Sequence, residues 1–370
     1  MSCAKGASCA GALGAFFGLC SQALAADATR LQVNLEVGAE VDTNALRAPA
    51  AEPPVTSPLW RITTGLQVAM RPAARQLIVL SDTLGGKIFF ARDAQGENVL
   101  VDDAHAAWSY TATPTLSAEL GLDYYDAFQQ GSVEDPRRDF RLGGMGPRLV
   151  LAGESDEIVT AFAGYRAFQY KIDPQQDYWG PYFGAALRKR WLTGPVEDER
   201  EWQLDASYLV NPRTFNGEGF RNPDQRSGLT RNDLFHFGEL RGTYTGAFLL
   251  GLGYGVQWND SSSYGFGLLR HIVTLRFASP LWGRLRLASR ATLQVLQLAD
   301  PVPLDPRLFG GDTFENENRS SVEVALEHPL GDSFRIIARY SYFASALGTA
   351  AGADFSRHLV FFGAAYRFDR

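Results

Sequence analysis

The sequence predicts an all-β protein: a membrane-spanning antiparallel β-barrel of about 16 strands. Three observations predict it. Strict alternation of apolar and polar side chains recurs over segments of roughly 12 to 16 residues, where strands of soluble sandwiches average about five or six. Beyond the N-terminal leader, no apolar run approaches the roughly 20 residues of a membrane helix. The connections between the alternating segments are, in turn, mostly long and mostly tight, the arrangement of barrels with short turns on one side of a membrane and loops on the other.

Residues 1–25 read as a secretory signal peptide. Lys5 supplies the basic start, an apolar small-residue stretch runs from Ala10 to Cys20, and Ala23-Leu24-Ala25 offers the cleavage site. Residues 26–370 then form one barrel domain. Cys3, Cys9 and Cys20 are the only cysteines and all lie in the leader. The mature chain is therefore expected to carry no disulfide, zinc–thiolate site or cysteine nucleophile. A formal net charge of −6 offers no whole-protein basic field, which argues against nucleic acid as a partner.

The first strand, 29–43, shows the pattern most plainly. Leu31, Val33, Leu35, Val37, Ala39 and Val41 take one face; Gln32, Asn34, Glu36, Glu40 and Asp42 take the other. The next seven segments are 59–71, 75–90, 98–112, 115–127, 139–152, 157–172 and 177–193. They are followed by 199–211, 232–245, 247–259, 263–279, 283–299, 318–328, 333–347 and 355–368. Within them, Leu116 to Tyr124, Trp202 to Tyr208 and Phe248 to Trp258 repeat the alternation, the last with Gly251, Gly253 and Gly255 opposite its apolar face. The tight turns Pro280-Leu281-Trp282-Gly283-Arg284 and Pro329-Leu330-Gly331-Asp332 end strands with proline, which cannot donate to the ladder, and turn on glycine. This pairing of loops and turns puts both chain ends on the periplasmic side. Phe248 and Trp258, and likewise Trp179 and Trp191, bracket outward faces at the spacing of two aromatic girdles about 25 Å apart. The longer connections 44–58, 212–231 and 300–317 are expected either to fold inward or to display a surface.

The segment Phe362-Gly363-Ala364-Ala365-Tyr366-Arg367-Phe368 resembles the C-terminal assembly signal of bacterial outer-membrane β-barrels, on Gly363, Tyr366 and Phe368; Asp369 and Arg370 follow it. The resemblance implies an outer-membrane location, surrounding lipid and the barrel assembly machinery as partner. The run Val37-Gly38-Ala39-Glu40-Val41-Asp42-Thr43-Asn44 is similar to the opening strand of several such barrels, including those of polysaccharide secretion systems.

A barrel of this size leaves an aqueous interior, so its inward residues decide function. Arg270, Arg276, Arg284, Arg286 and Arg290 on the twelfth and thirteenth strands, with Arg335 and Arg339 on the fifteenth, form an expected arginine wall. Glu36, Glu40, Asp42, Glu119, Asp123, Glu323 and Glu327 are available to pair with it. Guanidinium forks suit carboxylates and phosphates, which makes that wall a candidate track for an anion. The expected function is export of a hydrophilic, anionic polysaccharide through the outer membrane. No repeat domain precedes the barrel in this sequence, so a separate periplasmic secretion component is an expected partner. The alternatives are a general diffusion porin and a structural barrel anchoring an envelope-spanning machine. Catalysis is not expected: Asp103, His105 and Ser109 share a face, but four residues on a strand separate His105 from Ser109 by about 13 Å. No cofactor is expected, and no His, Asp or Glu cluster has metal-ligand spacing.

Overall fold

A computed structural model describes residues 29–48, 53–130, 139–171, 174–195, 200–300, 320–345 and 355–370. The leader with its three cysteines, most of 300–317 and part of 44–58 lie outside the described residues. The first eight strands are β1 (Thr29–Asp42), β2 (Ser57–Ala73), β3 (Gln76–Phe89), β4 (Val99–Thr113), β5 (Leu116–Gln129), β6 (Phe140–Ala152), β7 (Glu157–Tyr170) and β8 (Tyr178–Thr193). They continue as β9 (Arg200–Asn222), β10 (Gln225–Thr245), β11 (Leu249–Ser261), β12 (Leu268–Pro280), β13 (Arg286–Leu298), β14 (Ser320–Pro329), β15 (Phe334–Ser345) and β16 (Phe355–Asp369). Each pairs antiparallel with its sequence neighbour, and β1 pairs with β16, so the sheet closes on itself. The expected class and strand count hold.

Alternation decides which side chain meets which medium. In β1, Val37 and Val41 are 41% and 43% exposed, whereas Glu40 and Asp42 are 2% and 0% exposed. That is the reverse of a soluble protein: the apolar face points out and the charges point in. Aromatic side chains collect at both edges of the outer surface. Trp202, Tyr244, Phe248 and Phe277 follow one another at 4.8, 5.1 and 5.9 Å between centroids along the edge near the short turns. At the opposite edge Trp60 meets Phe90 at 6.4 Å, and Trp258 stacks on His236 at 4.9 Å.

Closure is made by β1 and β16, registered from Gln32↔Asp369 to Asp42↔Leu359. At its centre Gly38 faces Gly363. A Cβ on Gly38 would stand 2.4 Å from the Phe362 carbonyl oxygen and 2.6 Å from the Phe361 ring; one on Gly363 would meet the Val37 carbonyl oxygen at 2.4 Å. The bare backbone pair is what lets the Phe361 ring, 2% exposed, pack across the seam against Ile337 and Ala365. Arg30 clamps the seam's end through a two-pronged bond to Asp369, at 2.9 and 3.1 Å. In this frame Gly363 of the assembly-signal segment lies at the seam, while Tyr366 and Phe368 point outward.

One expected element is corrected. Residues 212–231 are not a loop: β9 runs on to Asn222 and β10 starts at Gln225, giving a long hairpin that turns at Pro223 and Asp224. Pro212 sits inside β9 because its missing N–H is not needed there. The β8–β9 ladder lapses between Trp179↔Thr214 and Phe183↔Val210, where Pro181 and Pro212 lie opposite one another. The Asn211 amide donates to the Pro181 carbonyl at 2.7 Å and bridges the gap. The turn itself is held by Asn222, whose side chain accepts the Asp224 N–H at 3.1 Å. Arg284, expected at the start of a strand, lies in the turn between β12 and β13.

Placing a branched side chain at the seam has a defined outcome. Gly38→Val is expected to cost about 2 kcal/mol or more through overpacking against backbone, read as a lowered urea midpoint and loss of the compact band that folded barrels show on unheated gels. Leu116→Val, on the outer face, is expected to leave both unchanged.

Candidate functional site

The site is the barrel interior. Sixteen strands spaced about 4.8 Å apart and tilted near 40° enclose a backbone cylinder about 30 Å across, wider than side chains fill. The end bearing the short turns and both termini is the periplasmic one by the rule for such barrels.

In the outer half the charges are locked into pairs. Glu40 accepts from Lys87 at 2.6 Å and from Arg61 at 3.3 Å, joining β1, β2 and β3. Arg357 on β16 bonds the Asp42 carboxylate through Nε at 2.8 and 2.9 Å, with the aspartate fully buried. Arg231 on β10 donates to Asp233 at 3.0 Å while its guanidinium lies 3.8 Å from the Phe215 ring centre and 3.6 Å from that of Phe266. Arg213 is held similarly over Phe235 at 3.9 Å. Between them runs a buried aromatic row across β6 to β9. Phe140, Phe168, Tyr178 and Phe215 follow one another at 5.1, 5.3 and 5.2 Å. These contacts fix one wall of the outer half, and Arg213, Phe215 and Arg231 among them come from the stretch expected as a loop.

The predicted arginines divide among three settings. Arg270 is 0% exposed, with Nη1 donating to Gln257 at 3.2 Å, and belongs to the packed outer half. Arg339 sits at mid-height, bonded to both Glu36 oxygens at 2.9 and 3.1 Å and 3.9 Å from Glu323. Toward the periplasmic mouth Arg276, Arg284, Arg286, Arg290 and Arg335 are all exposed. Arg276 and Arg290 are directly opposite on β12 and β13, and neither has an ion-pair partner among the described residues. Arg335 has only a loose contact with Glu327, at 3.6 Å. Arg284, Arg286, Arg335 and Arg367 line a cavity of about 570 Å³ at this mouth.

Two further inward arginines escaped the sequence reading: Arg188 on β8, 2.7 Å from Asp205, and Arg241 on β10, 2.5 Å from Glu239. Their alternation with Ala186 and Thr243 carried the signal. The outer face also holds polar groups where only apolar ones were expected. Arg141 meets Asp126 at 3.0 Å at the outer rim of β5 and β6, and Lys171 bonds both Asp126 and Asp139. As for catalysis, Ser109 donates to Glu119 at 3.3 Å and His105 bonds Asp123, so each engages β5 rather than the other. Among the described residues no group of three or more His, Asp or Glu side chains is arranged to hold a metal ion.

No family model matches the chain, and no curated protein sequence matches it. Solved structures do. OccAB1 of Acinetobacter baumannii aligns with 93% of this chain and 97% of its own at 9% identity and a TM-score of 0.50. OmpT of Vibrio cholerae aligns over 93% and 99% at 12% identity and a TM-score of 0.42. A bacterial polysaccharide outer membrane secretin aligns over 91% and 98% at 9% identity and a TM-score of 0.42. Likeness at these identities concerns the fold. That fold, with its apolar outer belt and aromatic edges, belongs to the outer membrane.

Breaking the outer-half lock tests its structural part. Arg357→Met leaves the Asp42 carboxylate buried without its bidentate partner and is expected to cost about 3–5 kcal/mol. The double variant with Asp42→Asn is expected to regain most of that loss, measured as the urea midpoint in detergent or lipid.

Proposed function

From an outer-membrane β-barrel of sixteen strands, we propose a channel that passes hydrophilic anions, foremost an acidic polysaccharide, from the periplasm to the cell surface. The observation that supports this reading is the unequal fate of the arginines. Those in the outer half are neutralised by carboxylates or held over aromatic rings, whereas Arg276, Arg284, Arg286 and Arg290 are exposed toward the periplasmic mouth. Fixed positive charge at a pore mouth raises the local concentration of anions and lowers that of cations. A paired, rigid outer half keeps the pathway polar without holding an anion tightly, and a solute must leave a site as readily as it reaches it.

Outward transport of a polymer needs a source of work, and a barrel has none of its own. The reading therefore includes a separate periplasmic secretion component that delivers the chain to this mouth. A general diffusion porin is the second reading. It shares the charged mouth but needs no partner, and the open arginines favour it equally for small anions.

Replacing Arg276, Arg286 and Arg290 together by glutamine removes three positive charges from the mouth. The ratio of chloride to potassium permeability, read from the reversal potential across a KCl gradient, is expected to fall several-fold. The fall is expected to be larger near 0.1 M salt than near 1 M, where the screening length drops from about 10 to about 3 Å. An unchanged reversal potential would remove these arginines as the source of the selectivity, and a folded barrel that carries no current would favour a structural role.

A further inference from the structure

The strongest unassigned feature is a cavity of about 580 Å³ in the inner wall, spanning β7 to β12 near the periplasmic mouth. On β11 it is lined by Gly251, an inward position that carries no side chain. Register sets Arg276 of β12 on one side of Gly251 and Thr243 of β10 on the other, and Arg241, the neighbouring inward position of β10, lines the same cavity. Arg188 lines the same cavity from β8.

The charges around this notch do not balance. Asp205 is bonded by Arg188 and by Gln203, and Glu239 by Arg241. Arg276 is left facing Arg290 across the β12–β13 ladder, two like charges directly opposite, which is unfavourable for the strand pair by itself. An anion lodged over Gly251 would relieve that repulsion. The neutral hydrogen-bonding groups of the lining are Thr160, Ser207, Thr243 and the Gln203 amide, beside apolar side chains such as Ile158 and Leu249. Hydroxyls and amides on a wall with projecting guanidinium forks match a sugar ring carrying a carboxylate, the hydroxyl groups meeting the former and the acid group the latter.

We propose that this notch is a binding subsite for one acidic sugar residue of an oligosaccharide, with Arg276 and Arg241 holding the carboxylate and the ring lying over Gly251. The subsite rests on the anion-channel reading and adds to it a saccharide and a place. Glycine at 251 provides room rather than backbone freedom. A Cβ there would meet Arg276 Cβ at 3.6 Å and Thr243 Oγ1 at 3.7 Å, ordinary contact distances, so a larger side chain would fold in place and fill the notch.

The test is current block of the full barrel in a planar bilayer by an oligogalacturonate added on the periplasmic side. Maltohexaose serves as the neutral sugar and inorganic sulfate as the bare anion. The wild-type barrel is expected to show brief blocks with the acidic sugar only. Arg276→Gln and Gly251→Leu are each expected to weaken binding about tenfold, and Gly251→Leu, which removes no charge, is expected to leave the reversal potential in KCl unchanged. Equal block of the Gly251→Leu and wild-type barrels would overturn the subsite while the anion channel stands. So would equal block by maltohexaose, or relief of block by sulfate at concentrations comparable to the sugar's. A wild-type barrel without anion preference would instead remove the channel reading on which the subsite rests.

Discussion

The pairing of β1 with β16 is the constraint on which everything else depends. A bilayer offers no water to the N–H and C=O groups of an edge strand, so an open sheet of this length could not remain in it. The seam solves this with a tight backbone approach at Gly38 and Gly363, sealed on the lumen side by Phe361 and at its periplasmic end by Arg30 and Asp369. Its neighbours lean on the same place. Arg339 stacks over Phe361 at 5.1 Å while reaching Glu36 on β1, so the charged interior is tied into the closure itself.

Once the sheet is closed, one periodicity settles both surfaces. Every second side chain is committed to lipid and every other one to the interior, and the polar set has to be accommodated there with its charges satisfied or hydrated. The protein does both, in different places. Near the outer rim the acids and arginines are paired or packed and partly stripped of water, an arrangement that stiffens the mouth. Toward the periplasmic rim Arg276 and Arg290 stay exposed, with no ion-pair partner among the described residues, so their field extends into the lumen. The long β9–β10 hairpin extends the outer wall, and the stacking of Arg231 between Phe215 and Phe266 fixes its base.

Much of this was legible in the sequence because the fold obeys a short rule. Alternation in segments such as 29–43 and 247–259 assigns faces directly, and the arithmetic of short turns gave sixteen strands with both ends on one side. The hairpin was missed for a local reason. Asn211-Pro212 and the Gly- and Ser-containing stretch after it have turn chemistry, but two opposed prolines share a single lapse in the ladder, a coincidence between β8 and β9 that neither segment reveals alone. The division of the arginines was likewise invisible. Arg270 and Arg276 are equivalent by alternation, and only the neighbouring strands decide that one is enclosed beside Gln257 and the other open. Gly251, Gly253 and Gly255 read as a plain strand face, and only the register of β10 and β12 sets Arg276 beside Gly251 and Arg241 beside Gly253.

The central claim is that a hydrated path with a positively charged periplasmic mouth runs through the barrel. It is tested most directly by single-channel recording of the refolded wild-type protein across a salt gradient, with orientation fixed by which side is exposed to added protease. The account predicts steady conductance steps with anion preference, and stronger rectification when the dilute solution faces the mouth that bears the chain termini. A folded barrel that stays silent, or one that prefers cations, would contradict it.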